Sequence, residues 1–357
     1  MIIFLAIPAI ALLFSIINSL TMRVVRNRDA KQIEDLVSIL IPMRNEERNV
    51  DDVLGSILLT SMLTAHEIIV LDDQSNDLTA ELSRKYPQVR TISGTELPDG
   101  WLGKNFACHQ LVAHSSGEYL VFVDADVRVT ERSIAAAITD MNANGWDFIS
   151  PYPRQIAITF YERLIQPLLQ WSWLVSVPLR IAEKRKFSAL VLANGQFFIV
   201  RRASYLKVGG HKAIRSEVLD DLELARLLVK RGFKGGVADG SEIATCRMYQ
   251  TKIQLFDGYT KSLWRAFGSP FGALVASFIL VLSGVLPFIL ALWGYRIAWI
   301  GYFLMVSSRY VAAIRTRSTP STALLHPFAI MVLLYLIARS WYLKLNGQLL
   351  WRGRRVA

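Results

Sequence analysis

Three aspartate pairs and one lysine have the types and spacing to do chemistry: Asp72-Asp73, Asp124-Ala-Asp126, Asp220-Asp221 and Lys104. The middle pair is the most informative. It ends the apolar run Tyr119-Leu-Val-Phe-Val123. Side chains alternate along a strand, so Asp124 and Asp126 leave its end on the same side. Carboxylates that close repel unless a cation lies between them. Mg2+ or Mn2+ bound by one or two carboxylates and the oxygens of a diphosphate is one solution. A solvated, Asp-rich turn is the other. Lys104 lies in Gly100-Trp-Leu-Gly-Lys-Asn-Phe-Ala107. The glycines permit close backbone approach, and the ammonium offers a point charge to a phosphate or a base carbonyl. A surface turn with a solvated lysine is the plainer reading.

The elements that position these groups read as one α/β domain. Leu36-Val-Ser-Ile-Leu-Ile41 is a continuous apolar run closed by Pro42, the pattern of a strand buried on both faces. Leu54, Ile57 and Leu58 predict a helix after Arg44-Asn-Glu-Glu47. A second strand, Glu67–Leu71, ends at Asp72-Asp73, and Leu78–Tyr86 predicts another helix. Tyr119–Val123 is the third strand. Strands alternating with helices imply a mainly parallel sheet that binds ligands beyond its carboxyl ends. All three strands deliver polar residues there: Asn45 and Glu46, Asp72 and Asp73, Asp124 and Asp126. Asp220 and Asp221 precede the amphipathic helix Leu222–Lys230, whose dipole favours acids at that end. No G-x-G-x-x-G or Walker loop is present, which disfavours a dinucleotide cofactor or an ATPase.

The flanks are apolar. Hydrophobic residues make up 52% of the 357, and mean hydropathy is +0.32. Residues 1–21 read as an uncleaved membrane anchor, followed by Arg23, Arg26, Arg28 and Lys31 on a cytoplasmic side. Residues 270–345 hold three further candidate spans, Phe271–Trp293, Ile297–Ile314 and Ala323–Leu343, the middle one carrying Arg309. Arg315 and Arg317 call for a cytoplasmic loop, and Arg352, Arg354 and Arg355 in the basic tail 346–357 call for a cytoplasmic end. Three full spans cannot satisfy both, so one segment is expected to be re-entrant or interfacial. Residues 155–186 are a candidate interfacial region, with Phe160, Tyr161, Trp171 and Trp173 beside Arg180, Lys184, Arg185 and Lys186. A buried core helix fits equally. The net charge of +11 suits a membrane surface and a polyanionic substrate. No basic recognition helix or zinc spacing points to nucleic acid. Cys108 and Cys246 show no metal-ligand pattern and are expected as free thiols.

The ordered set Ile41-Pro-Met-Arg-Asn-Glu-Glu47, Val70-Leu-Asp-Asp-Gln-Ser75 and Val123-Asp-Ala-Asp126 resembles the nucleotide-sugar half of family 2 glycosyltransferases of the GT-A fold. The resemblance implies a GT-A nucleotide-diphospho-sugar transferase domain over residues 35–265. It implies donor contacts from Pro42, Asn45, Glu46, Asp73, Lys104 and Asp124, and a Mg2+ or Mn2+ ion held by Asp126 with Asp124. Asp72 is expected to cap its loop through backbone hydrogen bonds. Asp220-Asp221 aligns with the family's Glu-Asp pair, departing from it in the first residue. Asp221 would then be the base that takes the acceptor's proton, a task for a carboxylate tuned by burial. Gln196, His211, Asp220 and Lys261 would contact the acceptor or the diphosphate, although a structural turn suits His211 as well.

Gly100-Trp-Leu-Gly-Lys104 and Gly258-Tyr-Thr-Lys-Ser262 are similar to segments of the carotenoid glycosyltransferase branch, and the Gln-x-x-Arg-Trp of polymerising relatives is missing. The expectation is a membrane-bound, multi-pass, inverting enzyme with a cytoplasmic catalytic domain. It would move one hexose from a nucleoside diphosphate sugar, UDP-hexose first, to a lipid acceptor. A carotenoid is the first choice; hopanoid, diacylglycerol, sphingoid and polyprenyl phosphate are alternatives. The rival from another class is a non-catalytic transport or scaffold component with a nucleotide-binding domain, which sparse intramembrane charge disfavours.

Overall fold

The computed structural model describes residues 3–184, 187–351 and 354–355. Arg185 and Lys186 of the basic cluster, Arg352 of the tail and the first two residues of the anchor lie outside the described residues. The chain divides into two compact units: residues 23–154 with 181–247, and residues 1–22 with 155–180 and 248–357.

The first unit is built on seven strands: β1 (Val37–Met43), β2 (His66–Asp72), β3 (Val89–Ser93), β4 (Tyr119–Val123), β5 (Phe148–Tyr152), β6 (Phe197–Arg201) and β7 (Gly235–Asp239). Their order across the sheet is β3-β2-β1-β4-β6-β5-β7. All run parallel except β6, which is antiparallel to both β4 and β5. The sheet is therefore mixed. β4 and β5 are buried along their whole length, as continuous apolar runs require. Leu40, Ile69, Leu71, Leu120, Phe122, Phe198 and Val200 share one core with Ala107, Cys108, Leu111 and Val112 of helix Gly103–Ala113. Leu224, Ala225 and Leu228 of helix Asp220–Lys230 complete it. The two helices that carry Lys104 and Asp221 are thus fixed by the hydrophobic core they share.

The second unit is helical. Helix Ile3–Thr21 packs on Ala298–Arg315 and Pro167–Ser176. Asn18 Nδ2 donates to the Leu174 and Val177 carbonyls, each at 2.8 Å, covering the end of the latter helix. Among the described residues two helices are long and apolar enough to cross a membrane, Pro270–Leu292 and Pro320–Leu345. Leu5–Thr21 is apolar but shorter. Residues 155–180 of this unit hold the short helices Phe160–Ile165 and Pro167–Ser176 and the first residues of Leu179–Lys184, divided at the prolines the sequence places there. Leu164, Ile165, Leu168, Trp171 and Leu174 are buried, and Phe160 and Ile181 are exposed.

Candidate active site

Parallel pairing puts the carboxyl ends of β1, β2 and β4 on one edge, and the antiparallel β6 brings its amino end to the same place. Val123 pairs with Phe197, and the Asp124 N–H donates to the Gln196 carbonyl at 3.0 Å. Residues at opposite ends of their strands in sequence therefore face one region.

Lys104 organises it. Its Nζ lies 2.8 Å from Asp124 Oδ1, 2.9 Å from Asp124 Oδ2 and 3.8 Å from Asp220 Oδ2. Burial opposes the charge, but Asp124 and Asp220 outweigh it and hold the proton more tightly than in an ordinary lysine. The adjacent Asp221 is fixed from two sides: the Gly195 N–H donates to Oδ2 at 2.5 Å and the Leu222 N–H to Oδ1 at 2.7 Å. Burial, helped by Asp220 and opposed by Lys104 and the two N–H groups, pushes its carboxyl up to about 6. Pro42, Lys104, Asp124, Gly195, His211, Asp220 and Asp221 line one cavity.

Asp126 lies on the turn after Asp124. Burial and the charges of Asp124 and Glu46 push it up to about 6, against Lys104 and a hydrogen bond from the Cys246 thiol. Its Oδ1 is buried with no hydrogen-bond partner. An orphaned anionic oxygen between two other carboxylates is what a divalent cation would satisfy. Among the described residues no three His, Cys, Asp or Glu side chains group to hold a metal by themselves. Mg2+ and Mn2+ take one or two protein carboxylates and complete their shell with diphosphate and water.

The loops after β1 and β2 brace each other. Asn45, in the left-handed region at φ +53°, donates its N–H to Ser75 Oγ and accepts from the Asn76 N–H, both at 2.9 Å. The Glu46 N–H donates to Thr79 Oγ1 at 2.8 Å, and Glu46 Oε2 accepts from Asn49 at 2.8 Å. Arg44 Nη1 donates to the Asp73 carbonyl at 2.6 Å. The expectation for Asp72 needs correction. Its Oδ1 is buried without a partner, and Asp77 does the capping, accepting from the Glu47 N–H at 3.1 Å and the Thr79 N–H at 3.0 Å. Both acids satisfy turn chemistry on paper, but Asp72 is still paired within β2, whereas Asp77 lies beyond it in the loop.

His211 is buried in the cavity wall, edge-on to Phe122 at 5.1 Å between centroids. Tyr205 Oη accepts the His211 backbone N–H at 3.0 Å and lies 2.8 Å from Nδ1. Burial and the nearby Lys104 hold the imidazole neutral, pushing it down to about 3. Gln196, directly before β6, is buried and shapes the edge through its carbonyl, which accepts from the Asp124 N–H. Lys261 belongs to the helical unit, where its carbonyl accepts from Trp264 Nε1 at 3.1 Å.

Four contributors were not singled out from sequence. Asn105 Nδ2 donates to the Ile214 and Glu217 carbonyls at 2.8 and 3.0 Å, tying the lysine helix to the loop that leads into Asp220. Its position directly after Lys104 was the available signal. Gly195 lets the backbone approach the cluster closely, since a Cβ there would stand 3.2 Å from both Lys104 Nζ and Asp221 Cβ, a tight contact. Tyr205 and Cys246 act on His211 and Asp126 from separate elements, with no local signal.

With this geometry in place, comparison with known proteins is direct. Residues 38–209 match the sequence profile described as glycosyl transferase family 2. A 4,4'-diaponeurosporenoate glycosyltransferase from Staphylococcus aureus is 27% identical over 339 residues, 89% of this chain and 88% of that protein. A protein of the same description from Staphylococcus haemolyticus is 27% identical over 235 residues, 64% of this chain and 60% of its own length. A mannosyltransferase from Pyrobaculum calidifontis, solved with GDP-Man and Mn2+, superposes with a TM-score of 0.54 at 17% identity, covering 96% of this chain and 98% of its own. Residues 38–209 thus match the family 2 glycosyl transferase profile, the fold is shared with that mannosyltransferase, and the chain is similar to proteins named 4,4'-diaponeurosporenoate glycosyltransferase.

Proposed function

We propose that this chain is a membrane-bound, inverting glycosyltransferase that moves one hexose from a nucleoside diphosphate sugar to a carotenoid or a similar lipid-soluble acceptor. The observation that carries the reading is the Lys104–Asp124–Asp220–Asp221 cluster beside the orphaned Asp126 oxygen. A diphosphate needs cationic help to leave, and an acceptor hydroxyl needs a base; the cluster offers both within one cavity.

In this mechanism the loops of Asn45, Glu46 and Asp73 bind the nucleoside, and Asp124 orients the ribose or sugar. The acceptor oxygen attacks the anomeric carbon as its bond to the diphosphate breaks. Asp221, poised by burial, receives the hydroxyl proton, and Lys104 meets the charge developing on the departing diphosphate. Asp126, with Asp124, would hold Mg2+ or Mn2+, which when bound neutralises diphosphate charge. His211 faces the cavity as a neutral donor.

The acceptor's identity changes the base's importance. The name of the staphylococcal relatives specifies a carotenoid carboxylate, and a carboxylate has no proton to remove. Membrane residence is supported by the two long apolar helices and by exposed apolar side chains in the helical unit, among them Phe271 at 75% and Leu345 at 79%. The catalytic unit is assigned to the cytoplasmic side. The test is lipid mass spectrometry of cells making the acceptor carotenoid acid and either this chain or its Asp126→Ala variant. A hexose adduct with the parent chain alone supports the reading. No glycolipid from either, despite a folded membrane protein, overturns it.

A further inference from the structure

The helical unit buries polar groups that its own fold does not satisfy. Arg309 is 1% exposed. Its Nη2 donates to the Leu164 carbonyl at 2.7 Å and lies 3.4 Å from Thr322 Oγ1, which donates to the Arg163 carbonyl at 2.7 Å. Its partners among the described residues are carbonyl and hydroxyl oxygens, with no carboxylate. Nη1 has no partner. His326 is wholly buried, and neither ring nitrogen is hydrogen-bonded. Its ring meets Trp171 edge-on at 4.8 Å, and Trp171 Nε1 donates at 2.9 Å to Ser308, the residue before Arg309. Gln166, two residues past Leu164 and 2% exposed, has both amide atoms unpartnered.

The backbone opposite is unusual too. Val281–Val285 is a π-helical turn inside an apolar helix, a feature often found at functional positions. A Cβ on Gly284 in that turn would stand 3.2 Å from His326 Nε2, so bare backbone faces the imidazole.

Arginine keeps its proton under any biological condition, and a buried charge without a counter-charge is among the costliest things a fold can hold. Buried water would satisfy His326 and Gln166, but it brings no charge to oppose the guanidinium. We propose that Arg309 and His326 form a binding site, within the helical unit, for an oxyanion carried on an apolar chain: a lipid carboxylate or a lipid phosphate. The guanidinium supplies the counter-charge through Nη1, and the imidazole N–H supplies a second donor. This site does not depend on glycosyl transfer at the carboxylate cluster.

The test uses the full chain in nanodiscs of phosphatidylcholine. Retinoic acid, its methyl ester and phosphatidylglycerol are added separately, and binding is followed by native mass spectrometry and thermal unfolding. Binding of retinoic acid at least tenfold tighter than its ester assigns a carboxylate, and the same preference for anionic phosphatidylglycerol over zwitterionic phosphatidylcholine assigns an anionic phospholipid. Arg309→Met should abolish either preference, and His326→Gln should weaken it severalfold. If Arg309→Met does not fold, the acid-against-ester comparison on the parent chain decides alone. Equal binding of acid and ester together with no phosphatidylglycerol preference overturns the proposal and leaves buried water as the occupant.

Discussion

Two regions of this molecule bury charge, and they do so in opposite ways. At the carboxyl edge of the sheet, Lys104 pairs with Asp124 and Asp220, Asp221 is held by two backbone N–H groups, and Asp126 keeps an orphaned oxygen. In the helical unit Arg309 has carbonyls and a hydroxyl for company and no acid. The first arrangement sets one cation among several carboxylates and takes a further cation to complete it. The second is incomplete without an anion. A cluster whose acids and cation tune one another can be shifted by small changes, which chemistry requires, whereas a buried cation with no acid serves to bind.

Substitutions can break this contrast at its strongest point first. Asp126→Ala removes the orphaned carboxylate and is expected to lower transfer about 1,000-fold or more, since a bound metal contributes several kcal/mol of charge stabilisation. Initial rates with saturating donor and Mn2+ check it. Asp221→Asn removes the base, and with a hydroxyl acceptor it should cost about 100- to 10,000-fold in kcat. With a carboxylate acceptor the loss should be far smaller, so the pair of acceptors separates base catalysis from positioning. Lys104→Met leaves Asp124 and Asp220 without their shared cation and should cost about 100- to 1,000-fold in kcat, with a loss of affinity for the free nucleoside diphosphate.

Smaller effects sharpen the comparison. A carboxyl pushed up to about 6 is protonated below that pH, so activity with a hydroxyl acceptor should fall as pH drops through about 6. An ordinary aspartate would hold its activity down to about 4. Asp126 is raised to a similar value without metal; a limb owed to Asp126 would move with Mn2+ concentration, and one owed to Asp221 would not. In the helical unit, Gly258→Ala would drive a Cβ into the Tyr249 ring. It should lower thermal stability by about 1–3 kcal/mol while leaving donor affinity unchanged.

Much of the catalytic unit was legible before its structure. Runs such as Leu36–Ile41 and Tyr119–Val123 are apolar because both sheet faces are covered, and their polar ends lie together because parallel strands share an edge. The direction of β6 was not legible: Phe197–Arg201 reads the same whether parallel or antiparallel, yet its reversal is what brings Gly195 to Asp221. Asp72 and Asp77 both satisfy turn chemistry, and only the register of β2 chooses between them. The long apolar helices announced themselves by composition. The carbonyls that surround Arg309 did not, because Leu164 lies 145 residues away along the chain.

The most direct test of the central claim is calorimetric titration of a nucleoside diphosphate, UDP or GDP, into the purified chain with and without Mn2+. The account requires binding that depends on the metal in the parent chain and is lost in Asp126→Ala, with the variant's fold and thermal stability preserved. Equal affinity in parent and variant, or affinity indifferent to Mn2+, would contradict it.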